Sequence, residues 1–170
     1  MYWQDGIPFQ YKPRADGNTF RYWLDGVPFS TPPLLSGDLS YYYPIADLTT
    51  GGWTQVPLYP KVSEVIANDT NYITSSSLPL NDICEMRLGY FINRPSSLTG
   101  HALRYRYEKS GIFQMDLTVS LYQGASLIKE TTHTNIQNGW VEGSISLTTG
   151  EANLITNYNE LLVRLTANSP

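Results

Sequence analysis

The sequence predicts an all-β chain: an antiparallel, jelly-roll-like β-sandwich of about eight strands carrying an N-terminal arm of aromatic hairpin repeats. Three observations lead there. From His101 to His133 apolar and polar residues alternate with period two, the mark of half-buried antiparallel strands. Segments of that kind recur from residue 47 onward with Gly, Pro, Asn and Asp between them, as in a sandwich or barrel. Charged residues make up only 15% of the chain while aromatics reach 13%, with 13 tyrosines; that composition suits a rigid β-rich domain better than a helical enzyme.

Residues 1–45 read as the arm and 46–170 as the sandwich. The first 45 residues hold 11 of the 22 aromatics. They also contain a repeat: Tyr2-Trp3-Gln4-Asp5-Gly6-Ile7-Pro8-Phe9 returns as Tyr22-Trp23-Leu24-Asp25-Gly26-Val27-Pro28-Phe29, identical at six of eight positions and 20 residues apart. Asp-Gly between apolar flanks predicts a hairpin, because a type I′ turn needs positive φ at both central residues. Pro8 and Pro28 cannot donate to a ladder, so the second arm of each hairpin must lie at an edge or leave the sheet. Isolated hairpins are marginal and enclose no core. Tyr2, Trp3, Phe9, Tyr22, Trp23 and Phe29 are therefore expected to anchor the arm on another surface. Thr31-Pro32-Pro33 reads as extended, and residues 34–44, with Tyr41-Tyr42-Tyr43, as a linker that packs by its tyrosines.

Beyond Asp47 the strands follow in order. Trp53, after Thr49-Thr50-Gly51-Gly52, is expected to anchor the start of the first one. Leu58–Ile66 and Tyr72–Ser75 are candidate strands around the turn Asn68-Asp69-Thr70-Asn71. Cys84–Ile92 alternates Cys84, Met86 and Leu88 against Glu85, Arg87 and Gly89. The three segments from His101 to His133 read as consecutive strands in the middle of one sheet. In the first, Leu103, Tyr105 and Tyr107 oppose Arg104 and Arg106; in the second, Met115, Leu117, Val119 and Leu121 oppose Asp116, Thr118 and Ser120. Lys109-Ser110-Gly111 and Gln123-Gly124-Ala125 connect them. Trp140–Leu147 is a further strand, residues 150–157 fit one or two helical turns capped by Thr148 or Thr149, and Glu160–Ala167 closes the set with Leu161, Val163 and Leu165 on one face.

Composition narrows the function. No apolar run reaches the roughly 18 residues of a membrane span, and Met1-Tyr2-Trp3-Gln4-Asp5-Gly6 has neither the basic nor the apolar region of a signal peptide. The net charge is −4 and the 11 basic residues are scattered, whereas a phosphate-backbone binder gathers positive charge on one face. Cys84 is alone, which rules out an intrachain disulfide and a thiolate metal cluster; it reads as a small buried hydrophobe.

Residues 47–168 resemble a domain found in bacteriophage and prophage virion proteins. The residues that carry the resemblance are Thr50-Gly51-Gly52-Trp53, Ile73-Thr74-Ser75-Ser76, Thr99 to Arg106, Leu117 to Gly124, Thr132-His133-Thr134 and Leu161 to Asn168. The duplicated octapeptide is similar to short N-terminal repeats of phage structural proteins. The resemblance implies a sandwich like that of carbohydrate-binding modules, displayed on a phage head or tail. It brings no catalytic motif.

Candidate sites are few. His101 and His133 lack the third ligand that a metal centre requires and read as structural or exposed. Glu108 and Asp116 flank a turn and are the one carboxylate pair to weigh for hydrolysis, yet acidic residues are ordinary at strand ends. No nucleophile elbow, phosphate loop or zinc motif is present, and the Asn68–Asn71 turn has one acidic residue, too few for calcium. Aromatics are the better lead. Tyr59, Tyr72, Tyr90 and Tyr122 are candidate glycan-facing residues beside Trp53 and Trp140, whose plainer role is in the core.

The expectation is thus a non-enzymatic structural protein of a phage virion, a head decoration or fibre-like protein without cofactor or metal. It is made in the host cytoplasm, fixed to capsid, tail or sister subunits by its arm, and homo-oligomeric. The alternative is an adhesion module that recognises host surface glycan.

Overall fold

A computed structural model describes residues 12–13, 19–22, 28–30, 41–64, 66, 68–89, 95 and 97–170. The chain divides into two units, Met1–Leu39 and Ser40–Pro170.

In the first unit the backbone forms a three-stranded antiparallel sheet in the order β1-β2-β3, from β1 (Lys12–Pro13), β2 (Thr19–Tyr22) and β3 (Pro28–Ser30). The second octapeptide copy spans the β2–β3 hairpin. Its last described pair is Tyr22↔Pro28, and the expected Asp25-Gly26 turn lies outside the described residues. Pro28 opens an edge strand, a place where its missing N–H breaks no ladder. The first copy, with its own expected hairpin, lies outside the described residues.

The second unit is all-β, a sandwich of antiparallel sheets. Its strands are β4 (Pro44–Thr49), β5 (Asp82–Leu88), β6 (Ala102–Tyr107), β7 (Asp116–Gln123), β8 (Ser126–His133), β9 (Val141–Ser146) and β10 (Leu161–Asn168). Five of them form one sheet in the order β4-β5-β10-β7-β8, and β6 pairs with β9 in a second. Apolar faces stabilise a fold only when two of them meet. From the large sheet Cys84, Met86, Leu117, Val119, Leu121, Leu161 and Val163 enter the core; from the small one Ile145 does, with Leu103, Tyr105 and Tyr107 packed against it.

Three expectations need correction. The three segments from His101 to His133 are strands, but they are not the middle of one sheet: β6 belongs to the small sheet, and β8 is the edge of the large one. Alternation fixes which side of a strand is apolar, and that pattern is identical whether the strand lies above or below the core. The first sandwich strand is β4, starting at Pro44 within the expected linker, and Trp53 follows it. Among the described residues, Leu58–Ile66 and Tyr72–Ser75 form no strand. Pro60 sits in a 3₁₀ turn over Tyr59–Lys61, and Thr74 makes only an isolated bridge to Thr54. The second unit has seven strands among the described residues, in line with the expected number of about eight.

Two carboxylates pin these irregular segments. Asp47 on β4 accepts the backbone N–H groups of Leu58 (2.7 Å) and Tyr59 (2.8 Å), which seats Leu58 fully inside. Asp82, at the start of β5, accepts from the N–H groups of Gly52 (2.7 Å) and Ser76 (3.3 Å), while its carbonyl accepts from the Trp53 indole (3.2 Å). This explains Gly51-Gly52. A Cβ on Gly51 would lie 2.2 Å from the Ile83 carbonyl oxygen, and the residue has φ of +53°, so only glycine fits.

The short helix α1 (Thr149–Asn153) begins where the sequence places it. Thr148 is the N-cap: its hydroxyl accepts from the Glu151 N–H, and Glu151 accepts from the Thr148 N–H, a reciprocal capping box.

Candidate functional site

Three groups of side chains have geometry worth weighing. The first joins the sheets. Tyr105 and Tyr107 point inward from β6, and His133 ends β8 on the face that Leu117 shares. Tyr105 Oη is hydrogen-bonded to His133 Nε2 (2.7 Å) and Tyr107 Oη to Nδ1 (2.9 Å). The Tyr107 and His133 rings lie 4.3 Å apart, tilted by 31°. Each imidazole nitrogen thus meets one hydroxyl, and the neutral ring satisfies both by donating to one tyrosine and accepting from the other. Partial burial holds the His133 pKa below its ordinary value and raises that of Tyr105, with Tyr107 adding to the latter. The arrangement orients the imidazole and clasps the two sheets. It contains no carboxylate.

The second group covers the outer face of the large sheet. Arg164 on β10 bonds Glu85 on β5 through Nε (2.7 Å) and Nη2 (2.5 Å). Its guanidinium lies 4.2 Å from the centre of the Tyr122 ring, with Nη1 donating to the Tyr122 hydroxyl (2.9 Å). Ser120, one step along β7, faces outward by alternation yet is only 2% exposed. Its ladder partners are Arg164 and Glu130. Tyr122 is therefore engaged by a cation, not presented as a bare ring.

The third group lies on the outer side of the small sheet. Arg106, opposite in direction to Tyr105 and Tyr107, bonds the Asp69 carboxylate (2.5 Å). Its guanidinium carbon stands 5.7 Å from the centre of the Trp140 ring. The Tyr72 and Trp140 rings are 6.0 Å apart at 59°. Tyr72 is 45% exposed. Two aromatic rings, a guanidinium and a carboxylate thus converge from three separate stretches of chain, Asp69 and Tyr72 sharing one of them.

The remaining candidates are dispersed. Of the proposed glycan-facing tyrosines, Tyr59 packs against the core, Tyr72 is in the third group, Tyr122 is on the large sheet, and Tyr90 lies outside the described residues. His101 binds the Tyr158 hydroxyl through Nε2 (2.8 Å). It precedes β6, while His133 meets Tyr105 and Tyr107 in the far half of that strand, so the two histidines do not share a site. Asp116 accepts from the Asn135 N–H (2.7 Å), and Glu108 is exposed beyond the end of β6. No group of three or more His, Cys, Asp or Glu among the described residues is placed to hold a metal ion. Of the anchoring residues, Tyr22 and Phe29 stand in β2 and β3, whose backbones are paired; Tyr2, Trp3, Phe9 and Trp23 lie outside the described residues.

Sequence reasoning missed the roles of Arg106 and Asp69. Arg106 carries a signal, an outward position between two inward tyrosines, but nothing local shows that the Asn68–Asn71 turn reaches it. No family model matches the chain, and neither the curated proteins nor the solved structures yield a match.

Proposed function

We propose that this is a non-enzymatic structural protein of a bacteriophage virion, a head decoration or fibre-like subunit that its N-terminal arm fixes to capsid, tail or sister subunits. The observation that carries the reading is the duplicated Tyr-Trp-x-Asp-Gly-x-Pro-Phe segment, whose second copy spans an antiparallel hairpin ending in an edge strand. Such an arm can extend a partner's sheet by main-chain hydrogen bonds while its aromatics fill pockets. The resemblance of residues 47–168 to phage surface domains supplies the setting: synthesis in the host cytoplasm and display of the sandwich on the particle.

The test is removal of residues 1–39, which leaves β4 whole. The shortened chain is expected to keep its β-type circular dichroism and to disappear from purified particles in sedimentation. Normal occupancy of particles by the shortened chain would show the anchoring reading to be wrong.

A second reading, an adhesion module for host surface glycan, is favoured by one observation: the exposed Tyr72 beside Trp140 and the Arg106–Asp69 pair.

A further inference from the structure

We infer that Tyr72, Trp140, Arg106 and Asp69 form a subsite for a neutral pyranose ring. The inference rests on the second, glycan-binding reading and gives it a place and a ligand class.

A pyranose presents an apolar face of C–H groups and a rim of hydroxyls. Its binding site therefore needs an exposed aromatic surface and, at its edge, paired donors and acceptors. The outer side of the β6–β9 sheet offers both. Tyr72 and Trp140 meet as a tilted pair, at 59° with 6.0 Å between ring centres. Tyr72 is 45% exposed, and the Asp69 side chain 46%. Arg106 lies between the ring of Trp140 and the carboxylate of Asp69.

The ion pair matches a vicinal diol. The carboxylate is an acceptor with a second oxygen, Oδ2, that has no partner among the described residues, and the guanidinium has five N–H donors. One hydroxyl can donate to Asp69 while its neighbour accepts from Arg106. The pair is already formed, so little side-chain entropy remains to be lost on binding.

Charge selects the class. Asp69 neutralises Arg106, Glu142 is Arg106's ladder partner on β9, Glu64 bonds the neighbouring Asn71, and the chain carries a net −4. A sugar acid or a nucleic-acid phosphate would meet this acidic rim unfavourably. A neutral hexopyranose meets no such cost.

A single hexose at ordinary ligand efficiency binds with a Kd on the order of millimolar, so a polysaccharide, which repeats the epitope, is the sensitive probe. The full chain is run in native gels containing dextran, mannan, galactan or, as the acidic counter-probe, polygalacturonate. Retardation by at least one neutral polymer is expected. Tyr72→Ala and Arg106→Lys should each weaken it at least tenfold, while Ile112→Ala, at an exposed position outside the subsite, should leave it unchanged. Because Tyr72 is exposed, its substitution tests the subsite without threatening the fold, which circular dichroism checks. Retardation that survives Tyr72→Ala overturns the subsite and leaves the glycan reading standing. Retardation by polygalacturonate alone overturns the neutral class. If no polymer retards the chain, the subsite and the glycan reading both fall, and the anchoring proposal is untouched.

Discussion

Tyr105 on β6 lies directly over Gly143 on β9. The two are ladder partners, and a Cβ on Gly143 would sit 2.2 Å from Tyr105 Cε2. The ring occupies the space that a side chain would fill, covering the glycine backbone. This places the phenol where its hydroxyl meets His133 across the sandwich.

Gly143→Ala should therefore destabilise the fold. The new methyl forces the ring aside, an overpacking effect of about 1–3 kcal/mol, with loss of the Tyr105–His133 bond adding about 1 kcal/mol. Urea unfolding should show a lower midpoint with an unchanged slope. In the Tyr105→Ala background the same substitution should cost much less, and equal costs in both backgrounds would show that the ring is not what Gly143 accommodates.

His133 should make the sandwich acid-sensitive. Its folded pKa is lowered by burial, so the unfolded state binds the proton more readily. The stability contribution is complete above the unfolded value near 6.5 and is lost as pH falls through the folded value. Stability measured from pH 7.5 to 5 should decline, and His133→Gln should flatten that decline. An NMR titration of the imidazole with a midpoint at or above 6.5 would contradict the assignment.

Glu151 acts lower on the pH scale. Its carboxylate is bonded by Lys129 at 2.5 Å and by the Thr148 backbone and hydroxyl, and its pKa is lowered from 4.5 to about 2. The folded pKa is depressed, so the contribution is present above about pH 4.5 and disappears as pH falls towards 2. Glu151→Gln should lower stability at pH 7 and have little effect at pH 2. Thr148→Ala removes the cap and should cost about 1 kcal/mol at neutral pH, read from thermal unfolding.

Cys84 should be chemically silent in the native protein. Its side chain is fully buried on β5, and burial pushes the thiol pKa up to about 12, which leaves almost no thiolate to react. An aromatic disulfide reagent should label it at the rate of unfolding and rapidly in denaturant. Fast labelling under native conditions would place Cys84 at the surface.

Much of the fold was legible locally. Cys84, Met86 and Leu88, then Leu117, Val119 and Leu121, then Leu161 and Val163 all enter the core as their alternation says. Thr148 caps α1 because the Thr-x-x-Glu spacing satisfies orphan N–H groups within four residues. The antiparallel pairing of the two arms of the second octapeptide copy was readable from its repeat.

What the chain's order does not record is which strand faces which. The Leu103-x-Tyr105-x-Tyr107 pattern makes β6 a strand with an apolar side, and that much the sequence by itself determines. The tertiary structure alone decides that β6 leaves its neighbours β7 and β8 to pair with β9, because sheet membership depends on contacts between distant segments and not on side-chain period. The same limit hides Gly143 beneath Tyr105, Asp82 beneath Gly51-Gly52, and the meeting of Tyr72 with Trp140. A glycine signals that a close approach is allowed, and only the folded chain shows what approaches.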